Sequence, residues 1–216
     1  MDLSVVIPAQ ETNKYDELGD LAKFGDTTLL EWKITQFKEF VDKTNIYIAS
    51  DSETIKNIAS AEEVNYIERG SFETYGDLVT DIIVQVPSEV ILWASVTSPF
   101  ISPNDYKSML SKFKSLEKCD SLVSSLEKYE YAYYNNEKLN FTMNMVPRNE
   151  LIPIKLLSNG CYIVKKDKIL KNNAIYGDNP YLYNLDYLSA LEIKDFHTYE
   201  MSKELITIYF KRLLNV

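Results

Sequence analysis

The chain has 216 residues, 45% of them apolar and 25% charged, the proportions of an ordinary globular domain long enough to bury most of its apolar surface. Its formal net charge of −9 speaks against a nucleic-acid partner, which needs a basic face, yet leaves room for a small anionic ligand held by a local cluster of cations, helix N-termini or a metal. No apolar run nears the ~20 residues that span a bilayer, and Leu3 to Ile7 is shorter than a signal-peptide core and has no basic flank, so the expectation is a cytoplasmic protein without a membrane partner.

In chain order, Leu3 to Ile7 is an apolar run interrupted only by Ser4 and closed by Pro8, the pattern of a strand buried on both faces. Residues 27–41 place Leu30, Ile34, Phe37 and Val41 at helical spacing, and Thr28 with Glu31 offers a capping box. Asn45 to Ala49 reads as the second strand, Ser52 to Ser60 as a short helix with Ile55, Ile58 and Ala59 on one face, and Val64 to Ile67 as a strand. A helix from Tyr75 to Val86 turns Leu78, Ile82, Ile83 and Val86 inward, and Glu89 to Ala94 is the next apolar strand. Ser102-Pro103 is a good helix opening, an N-cap followed by proline at N1, with Tyr106, Met109, Leu110, Phe113 and Leu116 as the inward face. Ser121 to Leu126 is strand-like, Cys161 to Val164 returns to the sheet, and Thr198 to Leu214 forms a closing helix. This alternation predicts a Rossmann-like α/β fold, a mostly parallel sheet with helices on both faces.

The pattern breaks between residues 127 and 157, where Tyr129, Tyr131, Tyr133, Tyr134 and Phe141 cluster without periodicity. Two readings stand, a long surface excursion or an inserted arm that meets a partner. The organisation is thus a single domain over residues 1–216, with 127–157 as the inserted arm or dimerisation segment. Cys119 and Cys161 sit in apolar contexts and read as free thiols, and two cysteines with one histidine nearly exclude a structural zinc site.

Ligands of an open parallel sheet bind beyond the carboxyl ends of its strands. That points to the loops at Pro8–Phe24, Ser50–Ser52 and Ala94–Ser102, and to the turn before Cys161, where Asn159-Gly160 offers a tight turn whose amide could meet a sugar. Arg69 reads either as a surface residue in a turn or as a nucleotide contact, and His197 as the flank of the last helix.

Several stretches then resemble one family. VVIPA with its polar loop and FGDTTLLEWKI, IYIASDSETIKNIA, ILWASVTSPFISPNDY, SNGCYIV and ALEIKDFHTYEMSKEL are similar, in order and over nearly the whole chain, to segments of the cytidylyltransferases that make CMP-activated acidic sugars such as CMP-sialic acid. The resemblance implies the nucleotide-diphospho-sugar transferase fold, transfer of CMP from CTP to an acidic sugar with release of pyrophosphate, a Mg²⁺ cofactor, and a homodimer built through the arm. It implies nucleotide binding by Pro8, Ala9, Gln10, Lys14, Arg69, Asp77, Ser95 and Thr97, with Lys14 as the phosphate-neutralising catalytic lysine, Asn159 and Gly160 facing the sugar, and Glu192 as the metal ligand.

The sequence also departs from the family. Gln10 and Tyr15 stand in place of arginines, Glu11 and Thr12 in place of glycines, Gly19 in place of a lysine, Ser95 in place of a base-contacting glutamine and Ile101 in place of an arginine. The loop sets Glu11, Asp16, Glu17 and Asp20 against Lys14, a poor cradle for the roughly four charges of a triphosphate. Where two metal-binding aspartates are expected, Glu192 and Lys194 stand. Two roles are open to Lys194, a solvated residue on a retained scaffold or an ammonium standing in for the cation. A catalytically impaired homologue that binds a nucleotide or sugar as a partner subunit is the alternative to an active transferase.

Overall fold

The computed structural model describes residues 2–213, so the expected helix end at Leu214 lies outside the described residues. The strands are β1 (Leu3–Pro8), β2 (Lys23–Phe24), β3 (Thr27–Thr28), β4 (Ile46–Ser50), β5 (Asn65–Glu68), β6 (Val90–Ala94), β7 (Ser121–Lys128), β8 (Tyr133–Tyr134), β9 (Glu137–Lys138), β10 (Ile154–Lys165) and β11 (Pro180–Asn184). The helices are α1 (Leu29–Lys38), α2 (Glu53–Ala61), α3 (Tyr75–Val84), α4 (Pro103–Lys114), α5 (Lys166–Asn172) and α6 (Phe196–Leu213).

Seven strands form one sheet in the order β11-β7-β10-β6-β1-β4-β5. Four of its six pairings are parallel, and β10 supplies both antiparallel ones, against β6 and β7. Neighbouring residues of a strand point to opposite faces, and both faces are covered. Val5, Ile7, Leu92 and Ile163 share a core with Leu30, Ile34 and Phe37 of α1, Ile55 of α2, Tyr106 and Met109 of α4, and Tyr199 of α6. Val6, Ile91, Trp93 and Val164 share the other with Val79, Ile82 and Ile83 of α3 and Ile169 of α5. The mostly parallel, doubly covered sheet read from the sequence is the observed one.

The helix starts follow their local chemistry. Thr28 accepts from the Glu31 amide while the Glu31 carboxylate takes the Thr28 amide, a complete capping box. The helix begins two residues later than its periodicity suggests, because Thr27 and Thr28 first pair with Phe24 and Lys23 in a small antiparallel ribbon. Ser102 caps α4 with Pro103 at N1, as expected. Val86 is buried, yet it lies beyond the end of α3 at Val84.

The tight turn expected at Asn159-Gly160 is instead an interruption inside β10. Leu157 pairs with Ser125, and regular pairing resumes only at Tyr162 opposite Val123. Such an irregularity strands ladder groups that must find other partners. Ser124 supplies them, its hydroxyl donating to the Ser158 carbonyl at 2.9 Å and accepting from the Cys161 amide at 2.9 Å. Ser124→Ala should therefore destabilise the protein by about 2 kcal/mol, the cost of leaving buried backbone groups unpaired. Urea unfolding checks this, and an unchanged midpoint would refute it.

The aromatic segment is a folded ribbon. Its base continues the sheet, with Ile154 and Lys155 opposite Lys128 and Glu127. At its tip β8 and β9 pair across Asn135 and Asn136, both at positive φ (49° and 66°), the conformation of a two-residue hairpin turn that asparagine tolerates. Asn140 ties the ribbon together by donating to the carbonyls of Glu130 and Ile152, and Tyr131 and Tyr133 pack edgewise on Phe141. Tyr133, Tyr134, Met143, Met145 and Ile152 remain exposed.

Candidate functional site

Beyond the carboxyl ends of β1, β5 and β6 lies a cleft of about 360 Å³, lined by Pro8, Gln10, Asn13, Asp20, Arg69, Tyr75, Leu78, Ser95, Val96, Thr97, Asn159, Glu192, Ile193 and Lys194. A more polar chamber, lined by Gln10, Glu11, Thr12, Asp51, Ser52 and Arg69, adjoins it. Gln10 and Arg69 border both.

The loop after β1 forms the near wall, and a fold-back gives it shape. The Asp20 amide donates to the Gln10 carbonyl at 2.9 Å. The Asp20 carboxylate in turn accepts from the Gln10 amide at 2.7 Å and from the Tyr15 hydroxyl at 2.5 Å. Burial pushes the Asp20 carboxyl up to about 6, partly offset by the Tyr15 hydroxyl, the Gln10 amide and the nearby Arg69 charge. The Tyr15 hydroxyl is pushed well above its ordinary range, first by burial and then by the Asp20 charge. Tyr199 of α6 packs its ring on Tyr15 at 5.9 Å, so the last helix braces the loop. Glu11 turns towards the start of α2, where Ser52 and Thr54 donate to its carboxylate. The acidic loop thus does not present one concentrated negative field, since Asp20, Glu11 and Asp16, three of its four carboxylates, accept hydrogen bonds from donors within the protein.

The far wall is the segment from Ser95 to Pro99. The Ser95 and Thr97 hydroxyls are 2.7 Å apart, and the Ser95 amide donates to the Gly160 carbonyl at 3.3 Å. Three side chains of α1 hold this segment from beneath. Trp32 and Gln36 donate to the Pro99 carbonyl, and Lys33 donates to the Ser98 carbonyl at 2.7 Å. Gly160 is buried where a Cβ would lie 2.3 Å from Ile101 and 3.1 Å from Ser98, so its lack of a side chain lets β10 approach this wall. Asn159 lines the cleft and accepts from the Tyr162 hydroxyl at 3.1 Å.

Arg69, just past β5, is only 10% exposed and pairs with Asp51 at 2.9 Å, which holds the Asp51 carboxyl below its usual range. Across the cleft, the amide of buried Ile193 donates to the Thr97 carbonyl at 2.8 Å. Its neighbours Glu192 and Lys194 form an ion pair at 3.2 Å.

Pro8, Gln10, Arg69, Ser95, Thr97, Asn159, Glu192 and Lys194, residues singled out from the sequence, thus line one cavity. Ala9 is buried beneath it, its amide extending the β1–β4 ladder to the Ala49 carbonyl. Lys14 is exposed on the loop and is not part of the lining. Asp77 closes the capping box of α3 with Thr74 and accepts from Asn173 at 3.1 Å, which places it outside this cleft. Asp20, Asn13 and Tyr75 were missed in the sequence, and the signal for Asp20 was its neighbour Gly19, a fold-back point within an acidic loop.

Mg²⁺ takes an octahedral oxygen shell, typically one or two carboxylates with phosphate oxygens and waters. Among the described residues no three His, Cys, Asp or Glu side chains converge on a point. The cleft's carboxylates are Asp20, engaged by Gln10 and Tyr15, and Glu192, engaged by an ammonium. A divalent ion on Glu192 would have to share that carboxylate with Lys194, so the donor set does not suit the metal.

A sequence model of the cytidylyltransferases matches residues 20–212. The chain belongs to this family. No curated protein sequence matches it significantly. Among solved structures, CMP:2-keto-3-deoxy-manno-octonic acid synthetase in complex with CTP superposes with a TM-score of 0.71 at 12% identity, over 96% of this chain and 99% of that one. The 4-diphosphocytidyl-2C-methyl-D-erythritol synthase of Anaerococcus prevotii gives 0.71 at 12% identity, over 95% and 96%. A cytidylyltransferase of Leptospira borgpetersenii gives 0.65 at 14%, over 96% and 87%. These likenesses establish the cytidylyltransferase fold. No helix among the described residues is long and apolar enough to cross a membrane.

Proposed function

We propose that this protein transfers CMP from CTP to the hydroxyl of an acidic sugar in the cytoplasm, releasing pyrophosphate. The observation that carries the reading is the cleft at the strand ends, in which the cations Arg69 and Lys194, the Ser95 and Thr97 hydroxyls and an acceptor-side asparagine converge in a chain of this family. The base would lie against Pro8, Ala9 and Gln10, whose backbone is fixed by β1 and by the Asp20 clamp. Ser95 and Thr97 would donate to the nucleotide. Arg69 would reach the phosphates, at the border of the two chambers and already oriented by Asp51. Lys14, on the exposed loop, would close over the triphosphate.

The acceptor would bind on the Asn159-Gly160 side. Its hydroxyl oxygen attacks the α-phosphorus as the bond to the pyrophosphate oxygen breaks, and the hydroxyl proton is released as the new ester forms. Such a reaction depends on alignment and charge neutralisation rather than on a covalent nucleophile. The exposed Tyr133, Tyr134, Met143, Met145 and Ile152 of the ribbon form the apolar surface through which two copies would pair.

Incubation with each nucleoside triphosphate and a panel of acidic sugars, with pyrophosphate as the readout, tests the reading. Release that requires both CTP and an acidic sugar is expected, and Arg69→Ala should lower kcat/KM by about 100-fold, the loss of a charge-assisted contact. Absence of pyrophosphate release with every triphosphate would refute the proposal.

A further inference from the structure

The ion pair between Glu192 and Lys194 gives the cleft a chemistry of its own. The backbone that carries it is fixed on both sides. The Ile193 amide is bonded to the Thr97 carbonyl at 2.8 Å, and the Lys194 amide to the Thr198 hydroxyl at 2.9 Å, where α6 begins. Ile193 between them is buried, so the segment cannot swing away. Glu192 is 15% exposed at its side chain and Lys194 67% exposed. The carboxylate therefore lies deep and the ammonium is presented to the opening, where an incoming polyphosphate meets it first.

Charge bookkeeping in the cleft points the same way. Arg69 and Lys194 stand against Asp20 and Glu192, with Asp51 bound to Arg69 at the edge. A divalent cation here would draw on the Glu192 carboxylate, whose charge Lys194 already offsets. A triphosphate needs cations, and Lys194 can keep its Glu192 contact while its other two donors take phosphate oxygens, since a lysine ammonium has three donors. Lysine acts on phosphate as a point charge of this kind.

We propose that Lys194 takes the place of a divalent cation at this site, so that the protein binds CTP without a metal. The inference rests on CTP being the ligand.

The test is calorimetric titration of the wild-type protein with CTP, once in excess EDTA and once in Mg²⁺. The expected result is a Kd in EDTA within about 3-fold of that in Mg²⁺. Lys194→Ala should weaken binding in EDTA by about 10- to 100-fold, the range of a lost charge-assisted hydrogen bond. Lys194→Asp, which places a second carboxylate beside Glu192, should bind CTP only when Mg²⁺ is present. Unliganded melting temperatures near wild type would establish that both variants fold, as the exposure of the Lys194 side chain leads one to expect. Binding by the wild type that appears only with Mg²⁺ overturns the inference and leaves the proposed function standing. Unchanged affinity in Lys194→Ala also overturns it, and no CTP binding under either condition overturns both.

Discussion

Replacing Lys33 by methionine should stabilise the protein below pH 7 and destabilise it above pH 10, with the difference between the two proteins changing sign in between. Lys33 projects from α1 into the core and is completely buried. Its ammonium donates to the Ser98 carbonyl at 2.7 Å and to the Tyr106 hydroxyl at 3.0 Å, and lies 5.3 Å from the Tyr106 ring centre. None of these partners carries a compensating negative charge, and burial keeps the neighbouring Cys161 thiol neutral by raising it well above its usual range. Burial lowers the lysine from an ordinary 10.5 to about 7, with Cys161 a smaller opposing influence.

Between those two values the unfolded chain holds a proton on Lys33 that the folded protein does not, so stability rises with pH across this window by about 1.4 kcal/mol per unit. Above 10.5 the lysine is neutral in both states and the penalty vanishes, whereas below 7 the full penalty, about 3–5 kcal/mol, is present. Methionine removes the linkage but leaves the Tyr106 hydroxyl and Ser98 carbonyl each short of a partner, a loss of about 1–3 kcal/mol at every pH. The gain wins at low pH and the loss at high pH. Denaturant unfolding of both proteins at pH 6 and pH 10.5 measures the crossover, and parallel pH profiles would exclude it. Because Ser98 belongs to the wall that carries Ser95 and Thr97, the lysine trades stability for a fixed cleft wall.

How much of this was legible beforehand depended on whether local pattern or remote contact decided each feature. β1, β4 and β6 are buried on both faces and read as largely apolar runs, with Ser4 inside the first and Ser50 closing the second, while the caps at Thr28 and Ser102 are satisfied within three residues of themselves. By contrast β11 is a half-buried edge of tyrosines and leucine, too weakly patterned to announce a strand. The reversed direction of β10 is set by a long connection that leaves no local trace. In the loop after β1 the sequence shows four acids and one nearby lysine, which suggests a uniform negative field. The folded loop divides them, because Tyr15 and the Gln10 amide turn Asp20 inward and two hydroxyls of α2 claim Glu11. Those partners lie up to 43 residues away, beyond the reach of any spacing rule. The convergence of Arg69, Asn159 and Glu192 on one cleft followed from the strand-end rule once the family order of segments was recognised. The pairing of Glu192 with Lys194 needed side-chain positions.

The loop's fold-back depends on Gly19, and Gly19→Ala should be the most damaging single-methyl change in the site. Its φ of 53° lies in the left-handed region, where an alanine costs about 1 kcal/mol. The space is the larger obstacle. A Cβ at this position would fall 2.6 Å from the Gln10 carbonyl oxygen and 2.8 Å from both the Glu11 carbonyl carbon and the Thr12 nitrogen. All three are backbone atoms that no rotamer change can move, so the two arms of the loop must part. Parting them breaks the 2.9 Å bond from the Asp20 amide to the Gln10 carbonyl and the 2.7 Å bond from the Gln10 amide to the Asp20 carboxylate. The buried carboxylate then loses a donor it needs when ionised. Together these effects predict a loss of about 3–5 kcal/mol, a fall in Tm of roughly 6–20 °C for a domain of this size. The sheet would survive, since the amides of β1 bond to β4 and β6 independently of the loop. Hydrogen exchange separates the two levels. The Gln10 and Asp20 amides should lose protection while those of Val5 and Ile7 keep it, and CTP affinity should fall at least 10-fold with the displaced wall. Retained protection at Asp20 in the alanine variant would mean that the loop has another way to close, and the clamp would not be what shapes the cleft.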